Sequence, residues 1–239
     1  MSLSQLHARL HLSVGTIHRL LQVLVERGYA AQDKNTRRYG PGPKLLEVAA
    51  HATSNSRFEL RSIAPQFLQV LTKITGETSN LVICQSDEIV YIDQAMSSHL
   101  VRMFTEIGRR APLYCTAAGK AILSCWSTEQ FETYLQRIVL EPLTPHTLTT
   151  RDELRSEIEQ TRQRGFAVDN EERELGVRCV AAPILAHRGQ CIAALSVSGP
   201  ATRITVERFN DIGLSVREAA DACSTQLGHR LRPMLNVHA

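Results

Sequence analysis

Residues 3–28, LSQLHARLHLSVGTIHRLLQVLVERG, permit few folds. Leu3, Leu6 and Leu10 recur at helical spacing, and Ile17, Leu20, Leu21, Leu24 and Val25 form a second stripe at i, i+3, i+4, i+7 and i+8. The pattern breaks near His11–Ser13. Ser13 is a good N-cap for the second helix, because its hydroxyl can accept from a first-turn amide that has no partner within the helix. Gly28 suits the C′ position, where a left-handed backbone ends a helix. Gly15, Thr16, His18, Arg19 and Gln22 lie off the apolar stripe, mostly in the first half of the second helix. A helix, a tight turn and a helix with its polar face near its own start is the layout of a helix-turn-helix. In that motif the second helix enters the major groove of a duplex.

The residues that follow extend the motif. YAAQDKNTRRYGPG holds two short strand-like runs around the polar turn Asp33–Lys34–Asn35–Thr36, the pattern of a hairpin. Lys34, Arg37 and Arg38 would lie beside a duplex as a wing. Residues 1–44 carry seven basic and two acidic side chains, a net charge of +5, which leaves −2 for the rest of a chain whose total is +3. A basic end on a near-neutral body points to a polyanion-binding module joined to something else. The competing reading is a solvated helical hairpin with scattered surface charge.

Length and composition exclude several classes. The 239 residues, 43% hydrophobic and 21% charged, fit one large domain or two modest ones. No apolar run approaches the ~20 residues a membrane span requires, and MSLSQLHARL lacks a signal-peptide pattern, so a cytoplasmic protein with no membrane partner is expected. The six cysteines, at 84, 115, 125, 179, 191 and 223, form no CxxC pair; neither a metal site nor a cofactor is expected.

Beyond the wing, GPGPKLLEV opens another helix, with Leu45, Leu46, Val48 and Ala49 apolar, and the polar stretch 51–57 reads as a joint. Leu60, Ile63, Ala64, Phe67, Leu68, Leu71 and Ile74 predict a long amphipathic helix that Pro65 should kink or restart and Gly76 should stop. TSNLVICQSDEIVYIDQA reads as strand, turn at Ser86–Asp87–Glu88, strand. LVRMFTEIG reads as a further strand closed by Gly108. Thr116 caps a short helix through AAGKAILSC; Ser127 with Gln130 and Thr150 with Glu153 form capping boxes for two more, the second ended by Gly165. FAVD, VRCVAAPI and CIAALSVS are strands, the last two joined at His187–Gln190, and a final helix runs from about Thr205 to Leu227. Hairpins mixed with helices predict an α+β domain on an antiparallel sheet.

Two places suit a ligand. Small residues at a helix start, Ala117, Ala118 and Gly119, would leave first-turn amides open to an anion. Ser196 and Ser198 share one face of their strand, since side chains alternate, and can supply hydrogen bonds together. Helix packing and solvent-facing polarity are the respective alternatives. In LGVRCVAAPI, Cys179 could be a nucleophile, a metal ligand, a pocket wall or plain core. Alternation places its neighbour Arg178 on the other face, within reach of an acid such as Glu171 or Glu172.

The motifs SVGTIHRLLQVLVERGY, GETSNLVI, IVYIDQ, IGRRAPLYCTAAGKAIL, RQRGFAVDNEE, LGVRCVAAPI and ALSVSGPATRIT occur in order over nearly the whole chain, which through them resembles the IclR family of bacterial transcription regulators. The resemblance implies a winged helix-turn-helix over 1–44, a linker helix over 45–57 that carries a dimer contact, and a GAF/PAS-like effector-binding domain over 58–230 with an antiparallel sheet and flanking helices. In the family a further helix precedes the first one visible here, so the winged unit is expected to lack it. Ser13, Gly15, Thr16, His18, Arg19, Gln22, Lys34, Arg37 and Arg38 become the DNA-binding candidates. By family position, Leu100, Met103, Ala117, Ala118, Asp169, Cys179, Ser196 and Ser198 face an effector, and Gly119 completes the helix start. Ala117 stands where the family has a glycine and narrows that wall. Cys179 is then a weakly polar wall rather than a nucleophile, since no sequence cue ties a base to it. The expected protein is not an enzyme and has no catalytic residue. It binds double-stranded, near-palindromic operator DNA as a homodimer or homotetramer and responds to a small carboxylate, a 2-oxo acid or sugar acid of the glyoxylate, pyruvate or ketodeoxygluconate kind. The rival reading is a small-acid-binding protein or enzyme using the same pocket, with Cys179 as its reactive group.

Overall fold

A computed structural model describes residues 1–51 and 56–229. The chain divides into two compact units, Met1–Phe58 and Glu59–Ala239.

The first unit contains α1 (Leu3–Leu10), α2 (Val14–Glu26), β1 (Ala30–Gln32), β2 (Tyr39–Pro41) and α3 (Lys44–His51). Ser2 and Gln5 form a capping box on α1, and His11 ends that helix in a left-handed conformation. Ser13 caps α2 by accepting from the Thr16 amide at 3.1 Å. Gly28, at φ +76°, turns the chain out of α2. In the wing the Asp33 carboxylate accepts from the Asn35 and Thr36 amides and the Thr36 hydroxyl, which fixes the turn between β1 and β2. The apolar stripe of α2 is only partly covered. Ile17 is buried, but Leu20, Leu24 and Val25 are exposed, as are Leu10, Leu12 and Val14. Burial within this unit therefore falls short of what the periodicity predicts. The expected linker helix appears as α3, which ends at His51; residues 52–55 of the predicted joint, and residue 230, lie outside the described residues.

The second unit is a six-stranded sheet between two helical layers. Its elements are α4 (Ser56–Thr75), β3 (Thr78–Gln85), β4 (Glu88–Ala95), β5 (Arg110–Pro112), α5 (Ala117–Ser124), α6 (Thr128–Arg137), α7 (Arg151–Arg164), β6 (Ala167–Asn170), β7 (Val177–Leu185), β8 (Cys191–Pro200) and α8 (Phe209–Gln226). The strand order is β5-β4-β3-β8-β7-β6, with every neighbouring pair antiparallel. One face packs Leu81, Val180, Ala182, Leu195 and Val197 against Leu60, Ala64, Leu68 and Leu71 of α4 and Ile212, Val216 and Cys223 of α8. The other packs Val82, Ala181 and Ala194 against α5, Phe131, Tyr134 and Leu135 of α6, and Leu154 and Ile158 of α7. The predicted capping boxes at Ser127 and Thr150 both form.

Two expectations need correction. The restart that was one alternative at Pro65 does not occur, since α4 is continuous from Ser56 to Thr75. The buried side chains at 60, 64, 68 and 71 bracket the proline, and their packing outweighs one lost backbone hydrogen bond. LVRMFTEIG is not a strand. Residues 96–109 run without regular structure, and pairing resumes only at β5. Leu100, Val101, Phe104 and Ile107 are all exposed. Side chains tie its middle to the sheet, with Thr78 donating to the Met103 carbonyl at 2.9 Å and Gln94 to the Thr105 carbonyl at 2.8 Å, and backbone bonds to Tyr91 return only at Gly108 and Arg109.

Candidate functional site

Strand register builds a polar row. Asp169 on β6 stands opposite Cys179 on β7, Cys179 opposite Ser198 on β8, and Ser198 opposite Thr78 on β3. Two residues along, on the same face, Ala167, Ala181, Ser196, Asn80 and Gln94 form the next row. The inner strands of an ordinary sheet would place apolar side chains here. Instead Asp169, Ser196, Ser198, Thr78 and Asn80 are all buried, and buried polar groups require partners. Some are internal: Asn80 donates to Ser198 at 3.3 Å, and the Asp169 carboxylate accepts from the Glu172 amide at 2.8 Å. Among the described residues the Asn80 side-chain carbonyl has no partner.

The start of α5 forms the wall over this face. Thr116 caps the helix by accepting from the Gly119 amide at 3.2 Å and donates to the Pro112 carbonyl at 2.8 Å. Together the sheet, the helix start and residues 103–111 enclose a cavity of about 50 Å³, lined by Met103, Ala117, Ala118, Asp169, Cys179, Ser196 and Ser198, with Tyr91, Thr105, Arg109, Arg110, Ala111, Thr116, Arg173, Glu174 and Val177. Since one water needs roughly 10–15 Å³ on this scale, the space holds about three to five waters and suits a small ligand.

Seven of the nine sequence candidates for the effector thus meet around one cavity. Leu100 does not: it is 97% exposed, on the outside of the irregular segment. Gly119 does not line it either. A Cβ there would sit 2.2 Å from the Leu113 carbonyl, so glycine is required for the close approach of α5 to the preceding chain. Tyr91 comes from β4, Arg110 from β5, and Arg109 and Arg173 from the loops before β5 and after β6, and neither periodicity nor spacing marked them. The signal for Asn80 was present in NLVI, where a buried strand opens on an amide, but only its pairing with Ser196 and Ser198 gives it meaning.

Electrostatics divide the roles. Burial pushes the Cys179 thiol well above its usual range, Asp169 adds to the rise, and the Ser198 hydrogen bond opposes it. Such a thiol stays protonated, which suits a wall and not a nucleophile. Burial, with the charge of Glu172, raises the Asp169 carboxyl to about 7, against the pull of Lys120 and the Glu172 and Arg173 amides. Arg178 points to the opposite face, as alternation requires. It pairs with Glu171 at 3.1 Å, donates to Asn170 at 2.8 Å and lies over the Phe209 ring.

In the first unit, Gly15, His18, Arg19 and Gln22 are exposed on α2, Thr16 is half-buried, and Lys34, Arg37 and Arg38 are exposed around the wing turn. Ser13 and Thr16 share a hydrogen bond between their hydroxyls at 2.8 Å. No helix among the described residues is long and apolar enough to cross a membrane. Among them, no cluster of three or more His, Cys, Asp or Glu could hold a metal ion.

Residues 52–225 match the family described as bacterial transcriptional regulator IclR C-terminal, and residues 1–34 match the IclR helix-turn-helix domain. The chain belongs to the IclR family. It is 34% identical to the HTH-type transcriptional regulator KdgR of Escherichia coli K12, over 97% of this chain and 87% of that protein. The HTH-type transcriptional repressor AllR of the same organism is also 34% identical, over 97% and 85%. The crystal structure of the Thermotoga maritima IclR superimposes with a TM-score of 0.73 at 36% identity, covering 96% of this chain and 92% of that one. An IclR-family protein is a transcription regulator with an N-terminal helix-turn-helix and a C-terminal antiparallel sheet domain, and both units are present here.

Proposed function

We propose that this IclR-family chain is a cytoplasmic, ligand-responsive regulator that binds operator DNA through α2 and the wing and senses a small carboxylate in the cavity beside α5. It acts as a homodimer or homotetramer on a near-palindromic site and is not an enzyme. The observation that carries the sensing role is the polar row Asp169–Cys179–Ser198, buried at Asp169 and Ser198, facing the capped start of α5. That row offers acid, thiol and hydroxyl groups to an anion whose charge the helix start favours. The cavity suits a small carboxylate, for which glyoxylate and pyruvate serve as probes. Such a ligand changes operator affinity only by the difference in its own affinity for the two states of the protein.

The exposed Arg19 and Gln22 of α2 support base contacts, and Lys34, Arg37 and Arg38 support phosphate contacts. A gel-shift series on the DNA upstream of the protein's own operon, run from 50 to 200 mM salt with and without glyoxylate or pyruvate, tests both halves. Steep weakening with salt is expected, with a loss of roughly 1–3 kcal/mol of specific binding for Arg19→Ala if it contacts a base. A carboxylate-dependent change in the shift, lost in Ser198→Ala, supports the cavity. Binding that is indifferent to salt and to every carboxylate would remove this reading.

A further inference from the structure

The sensing reading leaves a charge problem at the cavity floor. Asp169 is 2% exposed and lies in the row that would receive an anion. Two carboxylates cannot share a closed site while both are ionised. A nearby cation could solve this. Arg109 and Arg173 also line the cavity, but among the described residues neither pairs with the Asp169 carboxylate, and the buried cation nearest in the core is engaged. Lys120, fully buried on α5, lies 2.5 Å from Glu172 and 3.5 Å from Glu157, and Glu157 pairs with Arg164 at 2.6 Å. Two cations and two carboxylates make this quartet neutral. Asp169 adjoins it through the Glu172 amide but takes part in no ion pair among the described residues.

We infer, resting on the carboxylate-sensing reading, that Asp169 meets the bound anion as the neutral acid, so each carboxylate enters with one proton, and that Glu172 and Lys120 are the positioning residues that set this state. Asp169 takes the proton from solvent and donates its O–H to a carboxylate oxygen of the ligand; no covalent bond forms or breaks. The site then selects a group that accepts one strong hydrogen bond.

Other charged and titratable groups face Asp169 from the elements around it. From β7, Cys179 stays a thiol, from β4, Tyr91 stays a phenol, and the Cys115 thiol ahead of α5 is pushed up to about 11 by burial. Arg109 before β5 and Arg173 after β6 are cations, and Glu174 also lines the cavity. Glu172, itself raised by burial, is held by Lys120. Asp169, raised to about 7, changes protonation within the physiological range.

Calorimetric titration of the full chain with pyruvate and with glyoxylate, from pH 5.5 to 9, tests this. Expected is a Kd that is level at acid pH and weakens about tenfold per pH unit above about 7.5. Repeating the titration at pH 8 in buffers of different ionisation heat should show uptake of one proton. Asp169→Asn, which keeps a donor in place of the acid, should bind with a Kd independent of pH. In Glu172→Gln the break should move to lower pH, because a negative neighbour is lost. A wild-type Kd that is level to pH 9, or a slope that survives in Asp169→Asn, overturns the inference while the sensing reading stands. A break unmoved in Glu172→Gln overturns the positioning role. Failure of both probes to bind either protein at pH 6 overturns the inference and the sensing reading together.

Discussion

The Lys120 ammonium lies 2.5 Å from the Glu172 carboxylate, with 1% and 8% of the two side chains exposed. Lys120 belongs to the helix whose start forms one wall of the cavity. Glu172 belongs to the loop whose backbone holds Asp169 in another wall. The ion pair therefore ties the two walls together inside the core. Removing one partner strands a buried charge, at a cost of about 3–5 kcal/mol for a pair of this kind. Lys120→Met should lower the urea midpoint accordingly, and the double variant Lys120→Met/Glu172→Gln should recover most of the loss. Equal midpoints for Lys120→Met and wild type would show that the pair contributes nothing.

Asp169 makes stability depend on pH, with a sign opposite to that of a salt-bridged carboxylate. Its ordinary value is near 3.8 and its folded value is about 7. Between those limits the folded state binds more protons than the unfolded state, so this group's contribution to stability falls as pH rises from about 4 to about 7. Asp169→Asn should melt higher than wild type at pH 8, with the gap closing toward pH 4. At this chain length each kcal/mol is worth roughly 2–4 °C. Thermal melts at the two pH values decide it, and a gap of the same size at both would contradict the assignment.

Gly119 and Gly15 should respond oppositely to alanine. A Cβ at Gly119 meets the Leu113 carbonyl at 2.2 Å, whereas at Gly15 its nearest neighbour is the Ser13 hydroxyl at 4.0 Å. Gly119→Ala is expected to cost about 1–3 kcal/mol through overpacking. Gly15→Ala should be neutral or stabilise by up to about 1 kcal/mol. Chemical denaturation of the two variants separates them.

The thiols should differ in reactivity. Cys125 is exposed, and a hydrogen bond with Cys191 chiefly holds its pKa below the usual range. Burial raises Cys179, Cys115 and Cys223. Iodoacetamide at pH 8 should label Cys125 first, half-buried Cys179 far more slowly, and buried Cys115 and Cys223 only on unfolding, as read by peptide mass. Early labelling of Cys179 would return it to consideration as a reactive group.

Much of the site was legible residue by residue, but not as a site. Alternation put Ser196 and Ser198 on one face and Arg178 on the other, and both placements hold because a strand's side-chain period is a local property. Leu100 was misplaced because a family position specifies a place in the chain, not the path of an irregular segment. LVRMFTEIG read as a strand because apolar residues recur in it. Its backbone instead meets the side chains of Thr78 and Gln94, contacts that no local pattern encodes.

The helices, their caps at Ser13, Thr116, Ser127 and Thr150, and the hairpin turns follow from the sequence itself, since each depends on groups within about four residues. What only tertiary structure decided is which distant residues share a wall. Antiparallel order β3-β8-β7-β6 aligns Thr78, Ser198, Cys179 and Asp169, and Lys120 reaches Glu172 across 52 positions. Burying an acid and an ion pair is tolerable only where packing supplies partners from elsewhere in the chain, so both the cavity and its charge belong to the fold.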